Sequence, residues 1–243
     1  MVLLQWLLSL IFVVQMYLMM AVYGILYLPY AIVNKRGAVA ATKAYAHYVR
    51  WSARVIVGLK SELRGEIPQG QVVIAAKHQS FFDIIILYSE LPRPRFIMKK
   101  ELVYTPFLGW YALRVGCVPV DRGKRGAAIT KLKADVAAGA TEPGQLVIYP
   151  QGTRVAPGAH LPYKVGVGLI YDQLDCPCIP AAANVGVFWP KRGILRKRGT
   201  TVVELLPVIP PGLSVPQVMR RIEAEVEAGS DRLMAEAGFT RST

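Results

Sequence analysis

Charge is missing from the first 34 residues. Between Met1 and Asn34 there is no Asp, Glu, Lys or Arg, so all 29 basic and all 16 acidic residues fall within the remaining 209. With 53% hydrophobic residues and a mean hydropathy of +0.33, the chain is too apolar to be disordered and argues against an ordinary soluble enzyme. Its charged remainder excludes a multi-span transporter. Cysteine is scarce: Cys117, Cys176 and Cys178 are an odd count that does not read as a disulfide framework, which points to a reducing compartment. Cys176-Pro177-Cys178 has C-x-C spacing with only His160 nearby in sequence, so the pair reads as small buried side chains and no metal site is expected. The body shows no internal repeat, linker or low-complexity stretch and is expected to be one domain.

The uncharged head, residues 1–34, lacks a basic leader region, and its apolar run exceeds the roughly 7–15 residues of a signal-peptide core, so it is expected to stay on the protein. As one helix it would run about 51 Å, against a hydrocarbon layer of about 30 Å. Two arrangements remain open. Either one span of about 20 residues carries a helical extension, or Gly24 and Pro29 break the head into two helices lying in one leaflet. Lys35, Arg36, Lys43, Arg50 and Arg54 follow closely, which under the positive-inside rule places the body, residues 35–243, on the cytoplasmic side of the cell membrane. The net charge of +13 predicts an anionic partner. An apolar head favours an anionic phospholipid surface, and no basic run interleaved with aromatics marks a base-stacking groove, so nucleic acid is not expected.

The body reads as α/β, a single domain with a mixed sheet flanked by helices and preceded by the membrane-embedded head. Short apolar or β-branched runs predict strands at Val55–Leu59, Val72–Ala76, Arg95–Met98, Val115–Val120, Gln145–Tyr149, Cys178–Ala183 and Thr201–Leu206. Helices are expected over Tyr45–Trp51, Phe82–Leu91, Ala127–Ala138 and Ser214–Ala237. The last carries a capping pattern at Ser214 and Gln217, a staple of Leu213 with Val218, and an apolar stripe of Val218, Ile222 and Val226 that reads as core.

Two strand ends carry chemistry. The run Lys77-His78-Gln79-Ser80-Phe81-Phe82-Asp83 puts a histidine after a buried strand and a carboxylate five residues on, inside the next helix. A turn bringing Asp83 back to His78 would fix the tautomer and leave Nε2 free as a general base. The same residues fit a plain capping box, with Asp83 satisfying the helix N-terminus and His78 in the core. No G-x-S-x-G elbow is present, so a dyad here would need a hydroxyl supplied by the substrate. The second strand ends in Pro150-Gln151-Gly152-Thr153-Arg154, a tight loop whose backbone N–H groups, Thr153 hydroxyl and Arg154 guanidinium suit a phosphate. A surface turn with a solvated Arg154 has the same composition.

From about Val55 to Pro210 the chain resembles the glycerolipid acyltransferase family, and within it the 1-acyl-sn-glycerol-3-phosphate acyltransferases. Four blocks occur in order: His78 to Asp83; Lys99-Lys100-Glu101-Leu102 through Pro106–Trp110 to Gly116–Arg122; Tyr149 to Arg154; and, weaker, Cys178 to Ala182. The resemblance implies that His78 is the general base and Asp83 its orienting partner. It implies that Lys99, Arg122 and Arg154 grip the phosphate of lysophosphatidic acid, with Gly152 and Thr153 on the same loop. The sn-2 hydroxyl would attack an acyl thioester, acyl-CoA or acyl carrier protein, giving phosphatidic acid without metal or bound cofactor. The same chemistry on another lyso-lipid, a lyso-ornithine lipid or a lysophospholipid with a larger headgroup, and a membrane-anchored lipid-binding protein without turnover are the alternatives.

Two positions depart from the family pattern. Gln151 stands where Glu is usual and is kept as a positioning residue that orients Arg154 or Thr153; Lys77 precedes His78 where Asn is commoner, and would either aid the phosphate or face solvent. N–H groups at the start of the helix after His78 are candidates for the oxyanion. His47 and His160 have no evident carboxylate partner. Lys191 to Arg198 holds five cations in eight residues and is expected to meet anionic headgroups or an acidic carrier protein.

Overall fold

A computed structural model describes residues 2–120, Thr130, Ala134 and 143–240. With nothing to interrupt it, the apolar head runs as one helix, α1 (Val2–Leu26), and Gly24 stays within it. The break comes at Tyr27, because Pro29 opens the first turn of a second short helix, α2 (Leu28–Val33). Extended Asn34 then caps α3 (Lys35–Ser52), its side chain accepting from the Arg36 N–H at 2.9 Å. The polar residues of α1 other than its aromatics all turn inward: Gln5 and Ser9 bond to residues 57 and 196, and Gln15 to Ser52 and Tyr48. With Phe12 and Met16, both buried, Gln5 and Ser9 form a stripe at helical spacing that seats α1 along the body.

The body is one seven-stranded sheet in the order β1-β7-β6-β2-β5-β3-β4, every neighbour parallel except the antiparallel pair β6 and β7. Its strands are β1 (Leu59–Arg64), β2 (Val72–Ala76), β3 (Pro94–Lys99), β4 (Val118–Val120), β5 (Gln145–Ile148), β6 (Cys178–Ala183) and β7 (Gly199–Leu205). Central β2 is buried on both faces, as its continuous apolar run requires. Val72, Ile74 and Ala76 face α1, α3 and α4 (Phe82–Glu90), while Val73 and Ala75 face the helices α6 (Gly166–Leu174) and α8 (Val215–Glu236). Between these lie α5 (Leu108–Arg114) and the short α7 (Val185–Phe188). Helix α8 begins as expected, with the Ser214 N–H donating to Gln217 Oε1 at 3.0 Å, and Val218, Ile222 and Val226 are fully buried.

Two expected strands differ. The β-branched run Val55–Leu59 is mostly helical: Ala53–Val57 extends α3 as a π-turn with Ala53 and Val57 buried, and Gly58 at φ 72° ends it before β1. Val115–Cys117 closes α5 and turns at Gly116, leaving three residues for β4. The helix expected over Ala127–Ala138 lies outside the described residues apart from Thr130 and Ala134.

Candidate active site

The parallel strands end along one edge of the sheet, where ligands of open α/β sheets bind. There β2 delivers His78, β5 delivers Tyr149 and its loop, and β3 delivers Lys99. Asp83 sits in the first turn of α4 and folds back over the intervening turn. Its Oδ1 lies 3.0 Å from His78 Nδ1, while Oδ2 accepts from the backbone N–H groups of Gln79 at 2.9 Å and Ser80 at 2.8 Å. The dyad and the cap are therefore one arrangement. The reach back to the Ser80 N–H is half of a capping box, and the Ser80 hydroxyl accepts from the Phe82 N–H at 3.3 Å. Since Nδ1 faces a carboxylate, it carries the proton, and Nε2 is left as the basic nitrogen. The N–H groups of Gln79 and Ser80 are engaged by Asp83, so the expectation that N–H groups at this helix start hold an oxyanion does not extend to these two.

Tyr149, quoted in the sequence only as part of a motif, completes the group. Its hydroxyl donates to Asp83 Oδ1 at 3.2 Å, and its ring stacks on the imidazole with centroids 3.9 Å apart and planes 19° from parallel. Burial and the Asp83 carboxylate push the Tyr149 phenol well above its usual range, so it stays a donor. No spacing rule links residue 149 to residue 83; only strand order makes them neighbours.

His78 lines a cavity of about 610 Å³ together with Lys99, Gly152, Thr153, Arg154 and Lys164. Lys99, Gly152 and Lys164 are exposed and mark the solvent end. Apart from Thr42 and Cys117 the rest of the wall is apolar or aromatic, with Tyr88, Phe96 and Tyr111 buried, and α1 contributes Tyr17, Met20 and Tyr23. The head is thus a wall of the cavity as well as an apolar surface. Lys99 is paired with Glu101 at 3.3 Å. Gly152 turns with φ 69°, and a Cβ there would meet Lys164 Nζ at 3.0 Å, which places a cation unremarked in the sequence over the loop. Lys191 Nζ donates to the Thr153 hydroxyl at 3.3 Å. Arg122 lies outside the described residues.

Three expectations change. Gln151 is buried and donates to the Leu161 carbonyl at 3.1 Å, so it braces the loop against the following segment and does not orient Arg154 or Thr153. Lys77 neither meets the cavity nor faces solvent: it is 3% exposed, and its ammonium bonds both oxygens of Glu227 on α8, at 2.5 and 2.7 Å. His160 has a carboxylate partner after all, Glu223 at 3.1 Å, on the exposed surface. Cys176 and Cys178 are buried thiols pushed up to about 11 and about 12 by desolvation. Among the described residues no three His, Cys, Asp or Glu side chains cluster as a metal site.

A family model described as Acyltransferase matches residues 59–184. A 1-acyl-sn-glycerol-3-phosphate acyltransferase of Pseudomonas aeruginosa is 28% identical over 194 residues, covering 79% of this chain and 76% of that protein. The protein of the same name from Saccharomyces cerevisiae is 30% identical over 160 residues, covering 63% of this chain and 52% of its own. A human 1-acyl-sn-glycerol-3-phosphate acyltransferase alpha is 27% identical over 205 residues, covering 76% and 72%. The crystal structure of the 1-acyl-sn-glycerophosphate (LPA) acyltransferase PlsC from Thermotoga maritima superimposes with a TM-score of 0.78 at 20% identity, over 98% of this chain and 97% of that one. The likeness therefore takes in the head as well as the sheet.

Proposed function

The chain belongs to the acyltransferase family, and from that premise we propose that it transfers an acyl group from a thioester to the sn-2 hydroxyl of lysophosphatidic acid. The observation that carries this reading is the His78–Asp83 pair, 3.0 Å apart, opening into a cavity that is cationic at its solvent end and apolar beyond. His78 Nε2 takes the proton of the acceptor hydroxyl as its oxygen attacks the thioester carbonyl. The tetrahedral intermediate then expels the thiolate, which leaves as a thiol with the proton held by the imidazolium. Asp83 holds the ring and stabilises that imidazolium.

Lys99, Arg154 and Lys164 supply the charge that grips the acceptor phosphate and holds the hydroxyl beside Nε2. Gly152 brings the loop backbone close, and Thr153 offers a hydroxyl. The apolar walls take the acyl chain. The reaction balances with its two substrates, so no bound cofactor is invoked, and the donor is acyl-CoA or acyl carrier protein.

The lipid substrates account for the head. Helix α1 is long and apolar enough to cross a membrane, yet one face packs along the body while Leu3, Leu4, Leu7, Ile11, Val14 and Leu18 are exposed on the other. Such a helix, followed by the break at Tyr27, fits a pair lying in one leaflet of the cell membrane, with the body on the cytoplasmic side. A lyso-lipid would then enter the cavity past Tyr17 and Met20 without leaving the interface.

The test is thiol release by detergent-solubilised protein given a long-chain acyl thioester and lysophosphatidic acid, beside a panel of other lyso-lipids. Release that depends on lysophosphatidic acid and is lost in His78→Ala, with lyso-lipid binding kept, is the expected result. Turnover on a different lyso-lipid alone would move the acceptor, and silence with every acceptor and both donor types would overturn acyl transfer.

A further inference from the structure

We propose that Tyr149 is a positioning residue for the base: its ring fixes the plane of the His78 imidazole, and its hydroxyl tempers the basicity that Asp83 confers. The inference rests on the base role of His78 given above.

The geometry leaves Asp83 fully committed. Oδ1 accepts from His78 Nδ1 at 3.0 Å and the Tyr149 hydroxyl at 3.2 Å, and Oδ2, itself 3.2 Å from Nδ1, accepts from the N–H groups of Gln79 and Ser80 at 2.9 and 2.8 Å. The carboxylate is 1% exposed, so no water replaces a lost partner without rearrangement. The backbone donors fix Oδ2, and Tyr149 is the remaining side chain that fixes Oδ1. The sheet builds this contact, since β2 and β5 are parallel neighbours whose last registered pair is Ala75 with Ile148.

Each donor on Asp83 withdraws charge from the carboxylate and weakens its pull on the imidazolium. Tyr149 shares Oδ1 with His78, so its effect on the ring is direct. Removing the hydroxyl would leave Oδ1 to the ring alone and strengthen its pull on the imidazolium. The stack acts separately. Rings stacked with centroids 3.9 Å apart and planes 19° from parallel fix the plane of the imidazole, and the contact of Nδ1 with Asp83 selects which way it faces.

Other titratable groups line the same cavity. From the loop after β5 come Arg154 and Lys164, and from the end of β3 comes Lys99. All three are cations that oppose the imidazolium and remain in place when Tyr149 is changed. From α1, α3, α4 and α5 come the phenols of Tyr17, Tyr23, Tyr45, Tyr88 and Tyr111, and before β4 the Cys117 thiol, which burial pushes up to about 11.

Tyr149→Phe keeps the ring and removes the hydroxyl; Tyr149→Leu removes both. The acid limb of kcat/KM in Tyr149→Phe is expected to move to higher pH by about half a unit to one unit, with KM for the acceptor nearly unchanged. Tyr149→Leu should show the same shift and a further fall in kcat of about tenfold from the lost stack. The titration of the His78 ring, followed by imidazole NMR in wild type and Tyr149→Phe, reads the same quantity without turnover and should shift in the same direction. A limb and a ring titration both unmoved in Tyr149→Phe would overturn the proposal. If wild type turns over no acceptor, acyl transfer fails as the reading, and the NMR comparison still decides whether Tyr149 tunes His78.

Discussion

The side-chain amide of Gln5 donates to the carbonyl of Arg196 at 2.8 Å, joining the second turn of the apolar helix to the most basic loop of the chain. The same amide reaches the Val57 carbonyl at 2.9 Å, its oxygen accepts from Arg198 Nε at 3.0 Å, and the Ser9 hydroxyl accepts from the Arg196 N–H at 2.9 Å. Arg196 itself is buried with its guanidinium 4.3 Å from the Trp189 ring, and desolvation pushes it down to about 10. Arg196 through its backbone and Arg198 through its guanidinium therefore hold the loop to α1, and Lys191, Arg192 and Lys197 are exposed, with Lys191 also donating to the Thr153 hydroxyl.

This placement makes a prediction about membranes. Neutralising Lys191, Arg192 and Lys197 to Gln should weaken binding to vesicles rich in phosphatidylglycerol by about tenfold or more, since each cation near an anionic surface contributes about 1 kcal/mol. Binding to zwitterionic vesicles should change little, and raised salt should erase the difference. Vesicle sedimentation measures both. Unchanged binding to the anionic vesicles would assign the loop to solvent or to a protein partner.

Asp83 serves the ring and the helix start at once, and the two roles separate on substitution. Asp83→Asn keeps the volume but offers Nδ1 a neutral amide, which loses the tautomer control and the charge that favour proton transfer. Turnover should fall by about 10²–10⁴-fold. Losing an anionic cap should cost about 1 kcal/mol of stability, read as a small drop in Tm. A large loss of activity with a nearly native melt is the expected pair of results. An active Asp83→Asn would reduce the carboxylate to a cap.

The Lys77–Glu227 pair lies one residue from His78 yet belongs to the core. Lys77 is 2% exposed at its side chain and Glu227 19%, and Glu227 also accepts from the Tyr163 hydroxyl at 2.9 Å. Glu227→Gln strands a buried ammonium and should destabilise by about 3 kcal/mol, measured by chemical denaturation. Lys77→Met with Glu227→Leu should restore much of that loss, as apolar replacements of buried pairs often do. Should Glu227→Gln leave stability untouched, the pair is solvated in solution.

The sequence carried the parts of this molecule that are local. Val72–Ala76 reads as a strand because it is apolar throughout, and His78 and Asp83 can be named together because five residues separate them across one turn. It could not rank the dyad against the cap, because the same turn satisfies both. Tyr149 and Lys164 escaped notice for another reason: the contact of Tyr149 with Asp83 depends on β2 and β5 being neighbours in the sheet, and that of Lys164 with Gly152 on how the chain returns after the loop. The β-branched run at Val55–Leu59 misled because a helix already under way ran on through it as a π-turn and buried Val57, overriding the strand propensity. That the head lines the cavity follows from the inward stripe of Gln5, Ser9, Phe12 and Met16, which a generally apolar helix conceals.

Head and body also meet at Phe107, and the contact gives a prediction about acyl-chain selection. Phe107 has φ 58° and ψ −57°, and the Leu108 N–H bonds the Pro106 carbonyl at 2.6 Å across it, a γ-turn that a bulky side chain rarely adopts. Its ring fills the place where Gly24 of α1 has no side chain: a Cβ on Gly24 would lie 2.6 Å from the Phe107 ring. Tyr111, one turn on, donates to the Gly24 carbonyl at 2.7 Å. Phe107 is thus pinned between α1 and α5 as part of the cavity wall. Phe107→Gly relieves the backbone and removes the ring, so it should shift kcat/KM towards longer acyl donors, by severalfold between medium-chain and long-chain thioesters. Gly24→Ala should act oppositely, driving the ring inward and disfavouring long chains, and should cost about 1–3 kcal/mol of stability from overpacking. The measurement is kcat/KM across a donor series of increasing chain length for both variants. Profiles that shift in opposite directions are expected; two profiles identical to wild type would place the acyl chain elsewhere in the cavity, away from Phe107.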